Sequence, residues 1–195
     1  MKKAILALFF AACAGAASAA SSDLSFTITL QNMYENYTID GLKYRRNTVE
    51  GIAFSFSNYN FLDSGDHFGF FESVKFVFAG RIGIDAMAGP AFAVSPSESF
   101  RIQIGPGFHI AYSEDSFFIG EDRDSNEAKL NLGLGVDVQM KFTANRRCSP
   151  LLGFLFQWDP YCHQEKISSG TATVTPFSQY NRFVFFPYFS FCVNF

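Results

Sequence analysis

The sequence predicts an all-β protein: an eight-stranded antiparallel up-and-down transmembrane β-barrel following a cleaved signal peptide. Three observations carry this expectation. Phe alone accounts for 26 of the 195 residues. Apolar residues recur with a period of two in eight separate segments, and that period places one side chain in two on the same face of a strand. Beyond the N-terminal segment no apolar run approaches the roughly 18 residues of a membrane helix. A chain this aromatic without a membrane helix has one way to satisfy its backbone in lipid, which is to close a sheet on itself.

Residues 1–20 are expected to be the signal peptide and residues 21–195 the barrel domain. Met1-Lys2-Lys3 supplies a basic start, Ala4 to Ala12 an apolar stretch, and Ala17-Ser18-Ala19-Ala20 the small-residue cleavage region. Phe10-Ala11-Ala12-Cys13 also reads as a loose lipoprotein box, which would lipidate Cys13; the Phe in place of an aliphatic residue favours ordinary cleavage. Removing Lys2 and Lys3 takes the balance from 15 basic against 18 acidic residues to 13 against 18, a net charge of −5. With no basic patch or stripe, nucleic acid is not an expected partner.

The strands follow in order. Leu24, Phe26, Ile28 and Leu30 alternate with Ser25, Thr27 and Thr29. Ile52, Phe54 and Phe56 alternate with Gly51, Ala53 and Ser55. Phe68, Phe70, Val74, Phe76 and Phe78 form the third, with Glu72 out of pattern. The fourth runs from Arg81 to Val94, its apolar face opposing Arg81, Gly83, Asp85 and Met87. The fifth spans 100–112 and the sixth 129–142; each sets a wholly apolar face against Gly, amide and charge. Sustained alternation of this length exceeds the usual soluble strand and is ample to span a bilayer. The seventh covers 151–159. The eighth, 182–195, alternates Phe183, Phe185, Pro187, Phe189, Phe191, Val193 and Phe195. Pro90, Pro106 and Pro187 each remove a ladder donor and predict bulges or bends.

With the N-terminus on the inner side, the outer links are 32–48, about 79–81, 113–127 and 160–181, and the inner ones 60–67, 95–98 and 143–149. Three long outer links against short inner ones is the asymmetry of such barrels. Tyr34, Tyr112 and Trp158 then fall near the outer rim, and Phe61, Phe92, Phe100, Phe142 and Phe195 near the inner one, as two interface girdles.

The terminal strand, with Phe189, Phe191, Val193 and Phe195, resembles the C-terminal assembly signal of bacterial outer-membrane barrels. Together with the signal peptide and the eight strands, the pattern is similar to the OmpA, OmpX and OmpW-type barrels, and the aromatic composition to small outer-membrane proteins of spirochaetes. The resemblance implies residence in the outer membrane of a diderm bacterium, outer-membrane lipid as surroundings, and the barrel-assembly machinery as a partner during biogenesis. It carries over no functional residues.

Eight strands enclose an interior just wide enough for side chains. The inward face holds Lys75, Arg81, Asp85, Arg101, His109, Lys129, Asp137, Lys141 and Arg182, of both signs, so a lumen network of mutual pairs is expected. Asp85 falls roughly opposite His109, and Arg101 within reach of Asp137. Glu72 on the lipid side would be costly, which predicts a bulge turning it inward. In the third outer link, Asp122-x-Asp124-x-Asn126 mimics the start of a calcium loop but has Glu127 where Gly is needed; a solvated acidic loop is expected. Lys43, Arg45 and Arg46 stand near Tyr37 and Tyr44 in the first. Cys148, Cys162 and Cys192 survive cleavage, and parity sets Cys148 and Cys192 on opposite faces. Asp159, Cys162, His163 and Glu165 form a small cluster that could hold a soft metal, which is not the favoured reading. No catalytic constellation, cofactor or metal is expected. The function expected is structural or surface-interacting, with host or envelope surface ligands at the outer loops. A small passage for hydrophobic compounds, as the OmpW resemblance implies, and a soluble lipocalin-like barrel with its Phe faces turned inward are the alternatives.

Overall fold

The computed structural model describes residues 21–78, 82–114, 125–142, 147–168 and 171–194. The expected signal peptide with Ala17, Ser18, Ala19 and Ala20, the lipoprotein-box Cys13, lumen candidate Arg81, terminal Phe195, and the acidic residues Asp115, Glu121, Asp122 and Asp124 lie outside the described residues.

Nine strands are formed among the described residues: β1 (Ser21–Ile39), β2 (Leu42–Phe61), β3 (Phe68–Phe78), β4 (Ile82–Ser97), β5 (Phe100–Glu114), β6 (Ser125–Phe142), β7 (Cys148–Ser168), β8 (Thr171–Val174) and β9 (Phe177–Asn194). Each of β1 to β7 pairs with the next; β7 pairs with β9, and β9 returns to β1. The ring therefore has eight members and no free edge along its paired length, which is how a sheet survives in lipid. β8 stands outside the ring as a short hairpin on the outer end of β7.

Alternation sets the two faces. Phe26, Phe70, Phe108, Phe156 and Phe189 point outward and are exposed, while Lys75, Asp85, His109 and Lys141 point inward and are buried. An apolar wall around a charged interior inverts a soluble protein and matches a bilayer. The lipocalin-like reading, which needs the Phe faces inside, is thereby overturned. Aromatic pairs ring the inner end, Phe68 with Phe92 at 5.6 Å between centroids and Phe100 with Phe142 at 5.4 Å. Phe61, expected in that girdle, is fully buried in the lumen instead, because β2 ends by folding its last side chain beneath Arg101.

Two expected outer links are strands. β1 and β2 continue to a two-residue turn at Asp40-Gly41, both with positive φ (50° and 80°), the handedness that suits a tight hairpin. Residues 160–168 continue β7, 171–174 form β8 and 177–181 begin β9. The polar sequence of these segments hid them: strands standing in water on both faces show no apolar alternation.

The prolines open the ladder without shifting it. β4 and β5 pair at Ala88–Phe108 and resume in the same register at Phe92–Ile104, so Pro90 faces Pro106 across an unpaired interval. The register shifts lie elsewhere, among them one opposite Gln31/Asn32, where the extra residue Glu50 is on β2, and one opposite Leu132/Leu134, where β7 carries the extra residue. Glu72 is not turned inward; it stays in register, with Asn58 on one side and Ala88 on the other. The proline interval brings backbones close, and a Cβ on Gly89 would overlap the Pro106 carbonyl. The inner β2–β3 turn is held by Asp63, whose carboxylate accepts the N–H groups of Phe68 and His67 at 2.8 Å. Those backbone donors hold its pKa well below the usual carboxylate range.

Gly89→Ala is expected to block closure, abolishing the difference in gel mobility between unheated and heated chain in detergent. Gly83→Ala, whose new methyl would meet its nearest neighbour, Val77, at 3.5 Å, should keep it. Because the folded pKa of Asp63 is depressed, its stabilising effect is present above the unfolded carboxylate pKa and lost only as pH falls through the folded value. Exchange of the Phe68 amide should stay slow from neutral pH into the ordinary carboxylate range and accelerate only at stronger acid, while Asp63→Ala should speed it throughout the range in which the wild type is slow.

Candidate functional site: a filled lumen and a raised outer wall

The lumen is crossed by successive tiers of side chains. At the inner end Lys141 Nζ meets Asp23 Oδ2 at 2.6 Å and Asn194 Oδ1 at 3.1 Å, and Gln103 donates to the same Asp23 oxygen. Arg101 pairs with Asp66 of the inner turn at 3.1 Å and lies over the Phe61 ring, 4.1 Å from its centroid. Register explains this choice. Arg101 is directly opposite Lys141, and like charges so placed must turn to separate acids. The expected Arg101–Asp137 pairing is therefore not formed; Asp137 stands opposite Gly105.

Asp137 anchors the next tier. It accepts hydroxyls from Tyr59 at 2.9 Å and Tyr188 at 2.6 Å, and Gln139 Nε2 at 2.9 Å. Gln139 extends the network to Ser57 at 3.0 Å, and Ser57 to Ser25 at 2.6 Å. The Tyr59 and Phe71 rings pack beside it, 4.8 Å apart.

The third tier is a continuous chain of charges. Lys75 Nζ lies 2.7 Å from Asp85 Oδ2, and Asp85 Oδ1 lies 2.6 Å from His109 Nε2. His109 Nδ1 lies 2.6 Å from Asp159 Oδ1, and Asp159 Oδ2 is 2.7 Å from Arg182. Gln157 closes the near end, accepting from Lys75 and donating to Asp85, both at 3.1 Å. Both imidazole nitrogens of His109 face carboxylate oxygens, so both donate and the ring is an imidazolium; a neutral ring would set a lone pair against one acid. The expected approach of Asp85 to His109 is made on the diagonal, since His109 is registered with Met87 and Asp85 with Ala111.

Towards the outside, Tyr180 donates to Glu35 at 2.8 Å, and Lys129 stands 4.0 Å from Glu35 and 3.6 Å from Glu127. Leu151, Leu155, Val184, Phe186 and Phe71 face inward as expected, but they are packed among these tiers. The candidates Asp159, Cys162, His163 and Glu165 do not converge. Asp159 and Cys162 are buried in the lumen, and His163 and Glu165 pair with each other on the partly exposed side at 3.1 Å. Cys148 is exposed and Cys162 and Cys192 are buried, all three as free thiols.

Asp23, Glu35, Tyr59, Gln139, Gln157, Asp159 and Tyr188 belong to these tiers and were not foreseen as network members. Parity signals that most of them point inward. It does not signal which residue reaches across the lumen, because those partners lie 50 or more positions apart, as His109 and Asp159 do.

Above the rim the ring divides. Among the described residues β2 pairs with β3 as far as Ile52–Phe78, and β9 pairs with β7 as far as Asp159–Arg182. Beyond those points β2, β1 and β9 continue as a three-stranded wall whose two outer edges, residues 42–51 and 177–181, pair with β1 alone among the described residues. Tyr44, Tyr37 and Tyr180 form a cross-strand ladder on its concave side, with ring centroids at 5.2 and 6.4 Å, and Phe177 meets Tyr37 edge-on at 5.5 Å. Residues 42–47 are exposed, among them Lys43, Arg45 and Arg46.

Asp159→Ala leaves His109 and Arg182 buried without their shared acid, and removing one partner of such a pair costs about 3–5 kcal/mol. Urea unfolding in phospholipid vesicles should show a loss of that size, and Asp159→Ala/Arg182→Ala should recover part of it. Tyr188→Phe removes one hydrogen bond to a carboxylate and is expected to cost about 1.5–3 kcal/mol in the same assay.

No family model matches the sequence, and no curated protein matches it. Among solved structures, Ail, the attachment invasion locus protein of Yersinia pestis, is similar at a TM-score of 0.46 and 12% identity, over 90% of this chain and 98% of that one. A likeness this loose adds nothing to the assignment of the fold, which rests on the closed ring of this chain.

Proposed function

We propose that the protein is an integral outer-membrane β-barrel of a diderm bacterium that binds host or envelope surface partners through its raised outer wall, without catalysing a reaction. The observation that carries this reading is the wall itself. Residues 32–49 rise past the rim as paired strands, and the Asp40-Gly41 turn leaves no slack at the tip. The tyrosine ladder stiffens it, so a partner meets a preformed surface and little ordering entropy is lost on binding. Each outer edge, paired with β1 alone among the described residues, offers N–H and C=O groups to which an extended segment of a partner can add as a further strand. Lys43 and Arg45 alternate along one such edge and favour an acidic segment.

A passage for hydrophobic compounds gains no support from the lumen, where the inward apolar groups are packed and interleaved with the ion pairs described above. The test is adhesion of proteoliposomes to epithelial monolayers. Replacing residues 36–47 by an Asn-Gly turn should abolish retention while leaving heat-dependent gel mobility intact. Equal retention of the two proteins would overturn the proposal.

A further inference from the structure

Alternation continues into the raised wall and sorts its cations. Tyr37, Tyr44 and Tyr180 stack on the concave side, so the residues on either side of each tyrosine face outward. Cross-strand partners share a face, which sets Arg45, Asn36 and Asn181 in one outward row and Lys43, Thr38 and Gln179 in the next. Arg46, registered with the buried Glu35, lies on the concave side instead. No acid stands in the two outward rows, and neither Lys43 nor Arg45 makes an ion pair among the described residues.

These rows begin where the apolar wall ends. Tyr34, Phe183 and Trp158 are consecutive cross-strand partners in the row below, and a belt of Tyr and Trp marks the membrane–water interface. At the usual rise and tilt the Asn36 row stands about 5 Å above Tyr34 and the Thr38 row about 10 Å. The headgroup layer is about 5–8 Å deep on each side, and the long stems of Lys43 and Arg45 reach back into it. Trp158 Nε1 donates to Asn181 Oδ1 at 3.0 Å. An indole N–H can only donate, so it fixes this amide with the NH2 group turned away from the ring. Two cations and an oriented amide donor thus face the headgroups from one side of the wall.

We propose that this outward tile binds the phosphate of an anionic lipid in the outer leaflet, with Arg45 and Lys43 as the charge partners and Asn36, Thr38 and Asn181 as neutral donors. Lys43 and Arg45 are two positions apart on one face, about 7 Å along the strand, a spacing that one phosphate group bridges. The occupant is a lipid because this face continues the lipid-facing wall without a break. A headgroup held there keeps its chains against Tyr34, Phe183 and Trp158. Such attraction amounts to about fivefold in lipid selectivity for each cation. The proposal rests on the membrane reading above and not on partner binding. The backbone of the edge stays open for an added strand, whose acidic groups compete with the phosphate for the same two cations.

Trp158 is the only tryptophan of the chain and stands beside the tile, so its fluorescence reads which lipid is there. The full chain is reconstituted in phosphatidylcholine vesicles that contain a minor fraction of brominated phosphatidylglycerol or, in parallel, brominated phosphatidylcholine. At equal mole fraction the phosphatidylglycerol should quench Trp158 more strongly. Arg45→Gln should lower that preference about fivefold, and Lys43→Gln/Arg45→Gln should remove it. Arg46→Gln takes the same charge from the opposite face of the wall and should leave the preference as in the wild type. Heat-dependent gel mobility reports separately that each protein forms its barrel, so failure of the membrane reading and absence of the lipid site are distinguishable. Equal quenching by the two lipids, or equal losses from Arg45→Gln and Arg46→Gln, would overturn the proposal. So would loss of the preference on adding millimolar inorganic phosphate, which would mark a site for free anions.

Discussion

The bridge of two carboxylates across one imidazolium, Asp85–His109–Asp159, is the contact on which the interior depends. It joins β4, β5 and β7 through 2.6 Å contacts, and Lys75 and Arg182 extend it to β3 and β9. Five of the eight ring strands thus share one chain of charges. In a narrow lumen without bulk water, each of these groups is costly alone and tolerable only in company. The same condition sorts the neighbouring tiers. Lys141 takes Asp23, Arg101 takes Asp66 of the inner turn, and Asp137 is satisfied by two tyrosines and an amide.

Filling the interior with paired polar groups leaves the exterior to the apolar residues, and a period of two enforces that division along each strand. The backbone follows the same economy. Pro90 and Pro106 face each other, so each missing donor falls in one shared interval and the register survives on both sides. Where the barrel leaves the membrane the constraint relaxes. Strands separate, edges open, and the sequence becomes polar on both faces. The proposed binding surface and the membrane span are in this sense divided between different lengths of the same strands.

The spanning parts were legible because lipid imposes a strict alternation. The third strand was read as 68–78 and is found there, and the fifth and sixth differ by a few residues at their ends. The extensions of β1, β2, β7 and β9 were read as loops, because in water Tyr37, Lys43 or Gln164 needs no apolar partner face to remain in a strand. Within the lumen, parity placed Lys75, Asp85, His109, Arg101, Asp137 and Lys141 inward, and all six are buried. The pairs were less legible. Arg101 was matched to Asp137 by proximity along neighbouring strands, yet the acid it takes comes from a turn that alternation does not describe. Glu72 was expected to bulge inward to avoid lipid; its two asparagine neighbours lie on the same outward face and offer a local alternative that an isolated reading of β3 does not reveal.

The central claim is that the apolar face of these strands meets hydrocarbon while the charged face is sealed inside. A nitroxide scan along β5 in phospholipid bilayers, with lipid-dissolved oxygen and a water-soluble nickel chelate as relaxing agents, addresses it directly. Labels at Ile102 and Ile104 should be relaxed by oxygen, and labels at Gln103 and Ala111 by neither agent. Shielding of the first group from oxygen, with no alternation along the strand, would mean that the aromatic face packs against protein and would contradict the barrel described here.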